Sequence, residues 1–205
     1  MSPSLLAAYW AFSFLFVITP GVDWAYMISI SPDHRAIGPA VFGLLARHLT
    51  AVALVAAGVG AVVAGAPAVL AALTYVGAGY LVWLGIGMVR HPALPVAGEV
   101  EFAGSSKAYA IKGYGMSALN PKVPLLYLAL LPQFTDLAGS WPVSAQIMVL
   151  GLLTIISCTI IYTMVGYASH SVLRANPAVT KIVSRLSGAV MIIVAIALIA
   201  ERFAS

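Results

Sequence analysis

Three charged side chains stand inside long apolar stretches of the sequence, where charge is rare. They are Asp23, Arg47 and Lys122. A charge at the centre of a bilayer costs several kcal/mol unless it is paired, protonated or wetted. At 1.5 Å per residue, Asp23 and Arg47 lie about 10 Å and about 13 Å from the cytoplasmic ends of their predicted helices. Because these depths are similar, an Asp23–Arg47 ion pair is one hypothesis for how the charges are accommodated.

Each of these charges has a functional and a structural interpretation. Asp23 is interpreted as a carboxylate that carries a proton or binds a substrate ammonium group, or else caps an interrupted helix. Arg47 either pairs with Asp23 or extends toward the inner membrane surface. Lys122 is predicted near the midplane, where it can offset Asp23 or hold a substrate carboxylate. His48 follows Arg47 and either relays protons or packs with hydrogen bonds in the core.

Two prolines within predicted helices lie beside these charges. Pro20 stands between Thr19 and Gly21, and Pro121 follows Asn120. Proline inside a helix removes a backbone hydrogen bond and frees a carbonyl, and an adjacent glycine weakens the helix further. Both prolines fall near the midplane of a hydrocarbon core about 30 Å thick. Transporters use broken helices at equivalent places in two halves to line a substrate site, although a proline in a membrane helix can also be a packing kink.

The composition sets the environment in which these residues act. Of 205 residues, 62% are hydrophobic and 8% are charged, and the mean hydropathy is +1.03. A soluble domain carries about 25% charged residues, so this chain has too few charges to coat a soluble surface. The apolar runs are continuous rather than alternating, which favours helices over a barrel. The sequence therefore predicts an all-α integral membrane protein, and it argues against a nucleic-acid binder despite a net charge of +4.

Six apolar runs are each long enough for one crossing of a bilayer, which takes about 20 residues. They cover approximately residues 5–30, 39–64, 68–89, 113–131, 143–168 and 182–199. Residues 91–112 form the longest polar stretch and are predicted to be a cytoplasmic loop between two halves, residues 1–90 and 113–205. Lys and Arg concentrate in the loops after the first, third and fifth runs, and the positive-inside rule assigns those loops to the cytoplasm. Both termini are therefore predicted to lie outside.

The two halves share a short internal repeat. Thr19–Tyr26 and Asn120–Tyr127 match in Pro, Val and Tyr at a constant offset. Each half contains three predicted helices, and because this number is odd the second half must enter the membrane from the opposite side. The sequence therefore predicts six transmembrane helices arranged as two inverted three-helix repeats, with the two proline breaks at equivalent positions.

Other chemistries find little support in the residue types. Cys158 is the sole cysteine of the sequence, so neither an internal disulfide nor a Cys-x-x-Cys redox pair can form. A membrane serine protease would need a deep Ser–His pair, and no glycine-flanked serine motif supports one. A metal exporter would need several intramembrane carboxylates, histidines or cysteines. We predict no enzyme activity, no cofactor and no metal site, and we keep a metal-ion exporter and a passive small-solute channel as alternatives.

The motifs around the two breaks resemble those of a known family. Ile18–Asp23 resembles the Thr-Pro-Gly-Pro-x signature of the lysine exporter (LysE/RhtB) family of amino-acid exporters. Leu119–Phe134 is similar to the second signature of that family, and Gly77–Gly85 resembles its helix-3 segment. The resemblance covers nearly the whole chain. It implies export of amino acids or related small metabolites from the bacterial cytoplasm across the inner membrane, driven by the proton motive force.

The resemblance also implies which residues form the site. The implied substrate-binding and translocation residues are Thr19, Pro20, Gly21, Asp23, Asn120, Pro121 and Lys122, with Arg47 added from the charge analysis. Val22 replaces the usual second proline of the signature, and Arg47 stands in a stretch that is usually small and Gly-rich. A fixed arginine beside Asp23 disfavours cationic substrates, so neutral amino acids are expected. The expected mechanism is proton-coupled alternating access about a midplane site, and a homodimer is compatible with the small size.

Overall fold

The protein is helical throughout the part of the chain that the structure describes, apart from turns and short connections. The computed structural model describes residues 1–63, 67–92, 104–120, 122–136, 139–168 and 177–204. Its α-helices are α1 Pro3–Val17, α2 Val22–Ile30, α3 His34–Val63, α4 Pro67–Arg90, α5 Ser106–Ala118, α6 Lys122–Leu130, α7 Val143–Ala168 and α8 Pro177–Ala204. A 3₁₀ turn at Leu131–Phe134 follows α6. The all-helical prediction is confirmed for these described ranges.

Length and composition identify which helices can cross a bilayer. The stretch His34–Gly58 of α3 and the whole of α7 each qualify alone, and α1 with α2 qualifies as one span bent by 56°. The described residues therefore contain two membrane-capable helices, or three if the bent pair counts as one span. These findings support a membrane protein, while the six-span count and the inverted repeat stay predictions.

The first predicted span is interrupted at Pro20, as its sequence indicated. α1 ends at Val17, and α2 begins at Val22 after Gly21, whose extended backbone has φ −159° and ψ −163°. Pro20 has no amide hydrogen to donate to the carbonyl of Phe16, so regular helical pairing cannot continue through this position. The break leaves carbonyl oxygens at the end of α1 that need other donors.

A second interruption separates α5 from α6. α5 ends at Ala118 and α6 begins at Lys122. Asn120 starts the new helix, because its carbonyl oxygen accepts the Val123 amide at 3.2 Å. Pro121, which the sequence suggested as the cause of this break, lies outside the described residues. The observed interruption nevertheless falls at the position equivalent to Pro20 in the internal repeat.

Three helices, α3, α5 and α8, begin five or more residues earlier than the apolar runs predicted. α3 begins at His34 because the Asp33 carboxylate accepts the Arg35 amide and so caps its first turn. Pro39 is therefore an internal residue of this helix. Pro39 is the sixth residue of this helix, so it removes the backbone bond to the Arg35 carbonyl. α5 begins at Ser106, within the predicted central loop, after a serine N-cap. Residues 93–103 of that loop lie outside the described residues.

Glycines allow close helix contacts around α3 and between α4 and α8. α3 packs against both α5 and α7, and α4 packs against α8. A Cβ added to Gly85 or Gly188 would lie 2.6 Å from the carbonyl oxygen of the other glycine. A Cβ added to Gly113 on α5 would lie 2.7 Å from the carbonyl oxygen of Ala40 on α3. Small residues permit such backbone approach, and α3 is thereby held against the helix that carries the second break.

Candidate functional site

Asp23 lies at the centre of a buried polar cluster where four parts of the chain meet. It stands in the first turn of α2 and is 2% exposed. Its Oδ1 accepts a hydrogen bond from Asn120 Nδ2 at 3.1 Å. Its Oδ2 accepts from Tyr162 OH at 3.0 Å and from Ser117 Oγ at 3.4 Å, and it lies 3.2 Å from His48 Nε2. A carboxylate at a helix N-terminus is also favoured by the helix dipole.

His48 extends this cluster away from Asp23. The imidazole is 2% exposed, and its Nδ1 lies 2.8 Å from Tyr127 OH. When the ring is neutral with its proton on Nε2, Nε2 donates to Asp23 and Nδ1 accepts from the tyrosine hydroxyl. When the ring is protonated, both nitrogens donate, and the hydroxyl accepts instead. Because a hydroxyl serves either role, this arrangement satisfies both charge states of the imidazole.

Asn120 connects the two interrupted helices. Its Oδ1 accepts the backbone amide of Lys122 at 3.1 Å, which caps α6. Its Nδ2 donates to Asp23 in α2. The side chain is 4% exposed, so both bonds are sheltered from water. The single amide therefore fixes the N-terminus of one broken helix relative to the N-terminal turn of the other.

Lys122 makes the reciprocal connection to the end of α1. Its Nζ donates to the carbonyl oxygens of Phe16 at 2.6 Å and Thr19 at 2.9 Å, and it lies 4.5 Å from the centre of the Phe16 ring. The Phe16 carbonyl, to which Pro20 cannot donate, also accepts the Thr19 amide at 3.3 Å, so Lys122 is a further donor to it. A cation at a helix C-terminus is favoured by the dipole and satisfies freed carbonyls. Lys122 therefore caps α1, which is a structural role that the sequence interpretation did not include.

The remaining predicted residues of the first break complete the end of α1. Thr19 is buried, and its hydroxyl donates to the carbonyl of Leu15 at 2.8 Å. Trp24 Nε1 donates to the carbonyl of Val17 at 3.0 Å. Gly21 is close to Lys122, since an added Cβ would lie 3.8 Å from its Cδ. Side chains thus supply donors to the carbonyls that the interruption leaves open.

The structure corrects the proposed partner of Asp23. Among the described residues, the basic group that contacts Asp23 is His48 rather than Arg47. Successive residues of a helix point about 100° apart at 3.6 residues per turn, so only one of two neighbours on α3 can face α2. Arg47 is partly buried on a different side of α3, and its Nη1 is buried without a hydrogen-bond partner.

The geometry unites most of the predicted site residues and adds others. One connected region contains five of the predicted site residues, namely Thr19, Gly21, Asp23, Asn120 and Lys122. Pro20 lies at the first helix break, and Pro121 is outside the described residues. Among the described residues, Arg47 makes no hydrogen bond to this region through Nη1. Sequence reasoning missed Ser117, Tyr127 and Tyr162 as members of the cluster. Tyr127 had a signal, because it is the last match of the internal repeat. No group of three or more His, Cys, Asp or Glu suited to a metal occurs within the searched, described residues.

Comparisons with known proteins bear on what this arrangement does. A family model described as "LysE type translocator" matches residues 12–202. A protein of Vibrio cholerae serotype O1 described as "Uncharacterized membrane protein" is 33% identical over 165 residues, which cover 79% of this chain and 78% of the relative. No solved structure matches the chain.

Proposed function

Because the chain belongs to the LysE type translocator family, as its motifs predicted, we propose that it exports amino acids or related small metabolites. The family and the membrane relative support a multi-pass membrane exporter of small solutes. The finer proposal is export from the bacterial cytoplasm across the inner membrane, driven by the proton motive force. Alternating access about the two broken helices is the proposed mechanism.

One observation carries this proposal, namely the buried Asp23–His48 pair at the junction of the breaks. Ionisable groups in the membrane interior are expensive and mark ion pathways, proton relays or substrate sites. Here the carboxylate oxygen and the imidazole nitrogen are 3.2 Å apart, and both side chains are almost fully buried. A group retained at such a cost, with a partner that accepts either charge state, suits a proton carrier better than a packing contact.

The contacts of Asp23 suggest how a proton would act on the helices. The ionised carboxylate ties α2 to α3 through His48, to the α5–α6 junction through Asn120, and to α7 through Tyr162. Hydrogen bonds to a charged group are roughly twice as strong as neutral ones. A proton from outside would weaken all of these ties at once. We propose that this release allows the site to turn toward the cytoplasm, where the proton leaves and solute binds.

The helix pairing supports the proposed inverted repeat. In the six-span scheme α3 and α7 are second helices of their halves, and α4 and α8 are third helices. α3 packs against α7 and α4 packs against α8, so each contacts its counterpart. These contacts support two halves that rock against each other about the breaks.

The test is efflux from proteoliposomes that enclose a mixture of the twenty standard amino acids, measured by mass spectrometry. We expect wild-type protein to release amino acids faster when the outside is acidic, and Asp23→Asn to lose this acceleration. The matched control is Ser157→Ala on α7, because the Ser157 hydroxyl donates to the Leu153 carbonyl of its own helix. Gradient-independent efflux by wild type would indicate a passive channel, and a gradient response retained in Asp23→Asn would exclude the proposed proton carrier.

His48→Gln separates hydrogen bonding from proton binding. Glutamine can still donate to the Asp23 carboxylate, but its amide does not titrate in the physiological range. We expect this variant to fold and to exchange solute across vesicles without a pH gradient, while the acceleration by acid falls. An unchanged acceleration would assign His48 a packing role only.

A further inference from the structure

Arg47 is a deep charge whose hydrogen bonding is incomplete. Within the described residues, its Nη1 is buried and has no hydrogen-bond partner. Arg47 lies at the middle of the membrane-capable stretch His34–Gly58. Its backbone is about 20 Å along α3 from His34 at 1.5 Å per residue. The side chain therefore starts far from both ends of this membrane-capable stretch.

The other two charges in apolar stretches, Asp23 and Lys122, already have hydrogen-bond partners. Both oxygens of Asp23 already accept hydrogen bonds, from Asn120 on one side and from several donors on the other. The ammonium of Lys122 donates to two carbonyl oxygens at the end of α1. A buried donor without a partner is unfavourable, and more so when it is charged. Of these three charges, Arg47 is the one that gains most from a ligand.

The neighbours of Arg47 locate it on the side of α3 that faces α5. One turn before it, Gly43 meets the backbone of Ala110 on α5. Three residues after it, the Thr50 hydroxyl accepts a hydrogen bond from Tyr114 OH of α5 at 3.4 Å. Residues three and four apart share a helix face, so Arg47 lies on the face between these two contacts. Arg47 therefore lies on the side of α3 that faces α5, the helix that precedes the second break.

We propose that Arg47 binds the carboxylate of the transported solute. This inference rests on the proposed function and names the part of the solute that is recognised. A guanidinium presents a planar fork of donors that matches a carboxylate in a bidentate manner. A bound carboxylate would supply the missing acceptor and neutralise a charge in the membrane interior. The site therefore selects solutes with a free carboxylate, and amides or amines of similar shape are poor substrates.

The test compares an amino acid with its carboxamide. The amino acid that wild-type proteoliposomes release fastest from the twenty-component mixture is measured beside its own amide, in wild type, Arg47→Lys and Arg47→Gln. We expect Arg47→Gln to slow release of the amino acid at low concentration by about 10- to 100-fold, as for one lost charge-assisted hydrogen bond. The preference for acid over amide should disappear, and Arg47→Lys should be intermediate. Arg90→Gln, an exposed arginine at the end of α4, is the control.

A second measurement does not depend on the folding of a variant. Wild-type protein is treated with phenylglyoxal, and modification of the peptide containing Arg47 is quantified by mass spectrometry. The amino acid should protect this peptide, and its amide should not. Equal modification with and without the amino acid, or an unchanged acid preference in folded Arg47→Gln, would overturn the role of Arg47. Failure of wild type to release any amino acid would instead contradict the proposed function itself.

Discussion

Lys122 provides the sharpest separation of a structural role from a substrate-binding role. Lys122→Met keeps an unbranched side chain but removes the ammonium that bonds the carbonyls of Phe16 and Thr19. Charge-assisted bonds contribute about 1.5–3 kcal/mol each, and part of this is recovered because the variant no longer buries a charge. We expect the free energy of unfolding to fall by about 2–3 kcal/mol. For a chain of this length, that loss lowers the unfolding temperature by about 4–12 °C.

The single cysteine supplies the assay for this prediction. Cys158 is buried, so a dye that fluoresces on reaction with thiols reports unfolding of detergent-solubilised protein. Lys107→Met replaces an exposed lysine in the first turn of α5 and should leave the transition unchanged. The expected result is a lower transition for Lys122→Met without any solute present. A transition equal to that of wild type, together with lost export, would refute the capping argument and assign Lys122 to the solute.

Three further predictions concern the Asn120 bridge, the contact between α4 and α8, and the topology. Asn120→Ser retains a capping hydroxyl but is too short to reach Asp23, so we expect a loss of about 1.5–3 kcal/mol in the same thermal assay; no loss would show that this bridge is dispensable. Gly85→Ala should destabilise by about 1–3 kcal/mol because its Cβ would meet Gly188. The control is Gly87→Ala, which should not change stability because an added Cβ would meet nothing within 4 Å. Equal destabilisation by the two substitutions would contradict close packing of α4 against α8. A C-terminal reporter active only outside the cytoplasm should function, whereas activity of a cytoplasm-only reporter would reverse the proposed topology.

The residues that make the site were recognisable largely because of where they occur. Asp23, Lys122 and Pro20 stand in apolar stretches, where polar atoms and helix breaks are costly, and their types alone marked them. Asn120 was recognisable from its place beside Pro121 in the second family signature. The first residues of the helices were harder to predict, because the Asp33 cap starts α3 before the apolar run that predicted it. Apolar periodicity reports burial, whereas capping depends on individual polar atoms.

The partners of these residues required the tertiary structure. Sequence depth suggested Arg47 for Asp23, but rotation about the axis of α3 presents His48 instead. Tyr162 reaches the same carboxylate from 139 residues away, a separation at which no local pattern applies. Lys122 was expected beside a substrate or Asp23, and the structure adds its hydrogen bonds to two carbonyl oxygens at the end of α1.

The sequence by itself determined the membrane environment, the family and the chemical identity of the deep charges, because composition and motif spacing are properties of the chain alone. The tertiary structure decided which partner each charged side chain contacts, and therefore that Arg47 Nη1 has no hydrogen-bond partner among the described residues. Hydrogen bonds act over about 3 Å, and a change of one residue in helix rotation moves a side chain farther than that. The pairing of Asp23 with His48 and the open Nη1 of Arg47 are therefore consequences of packing.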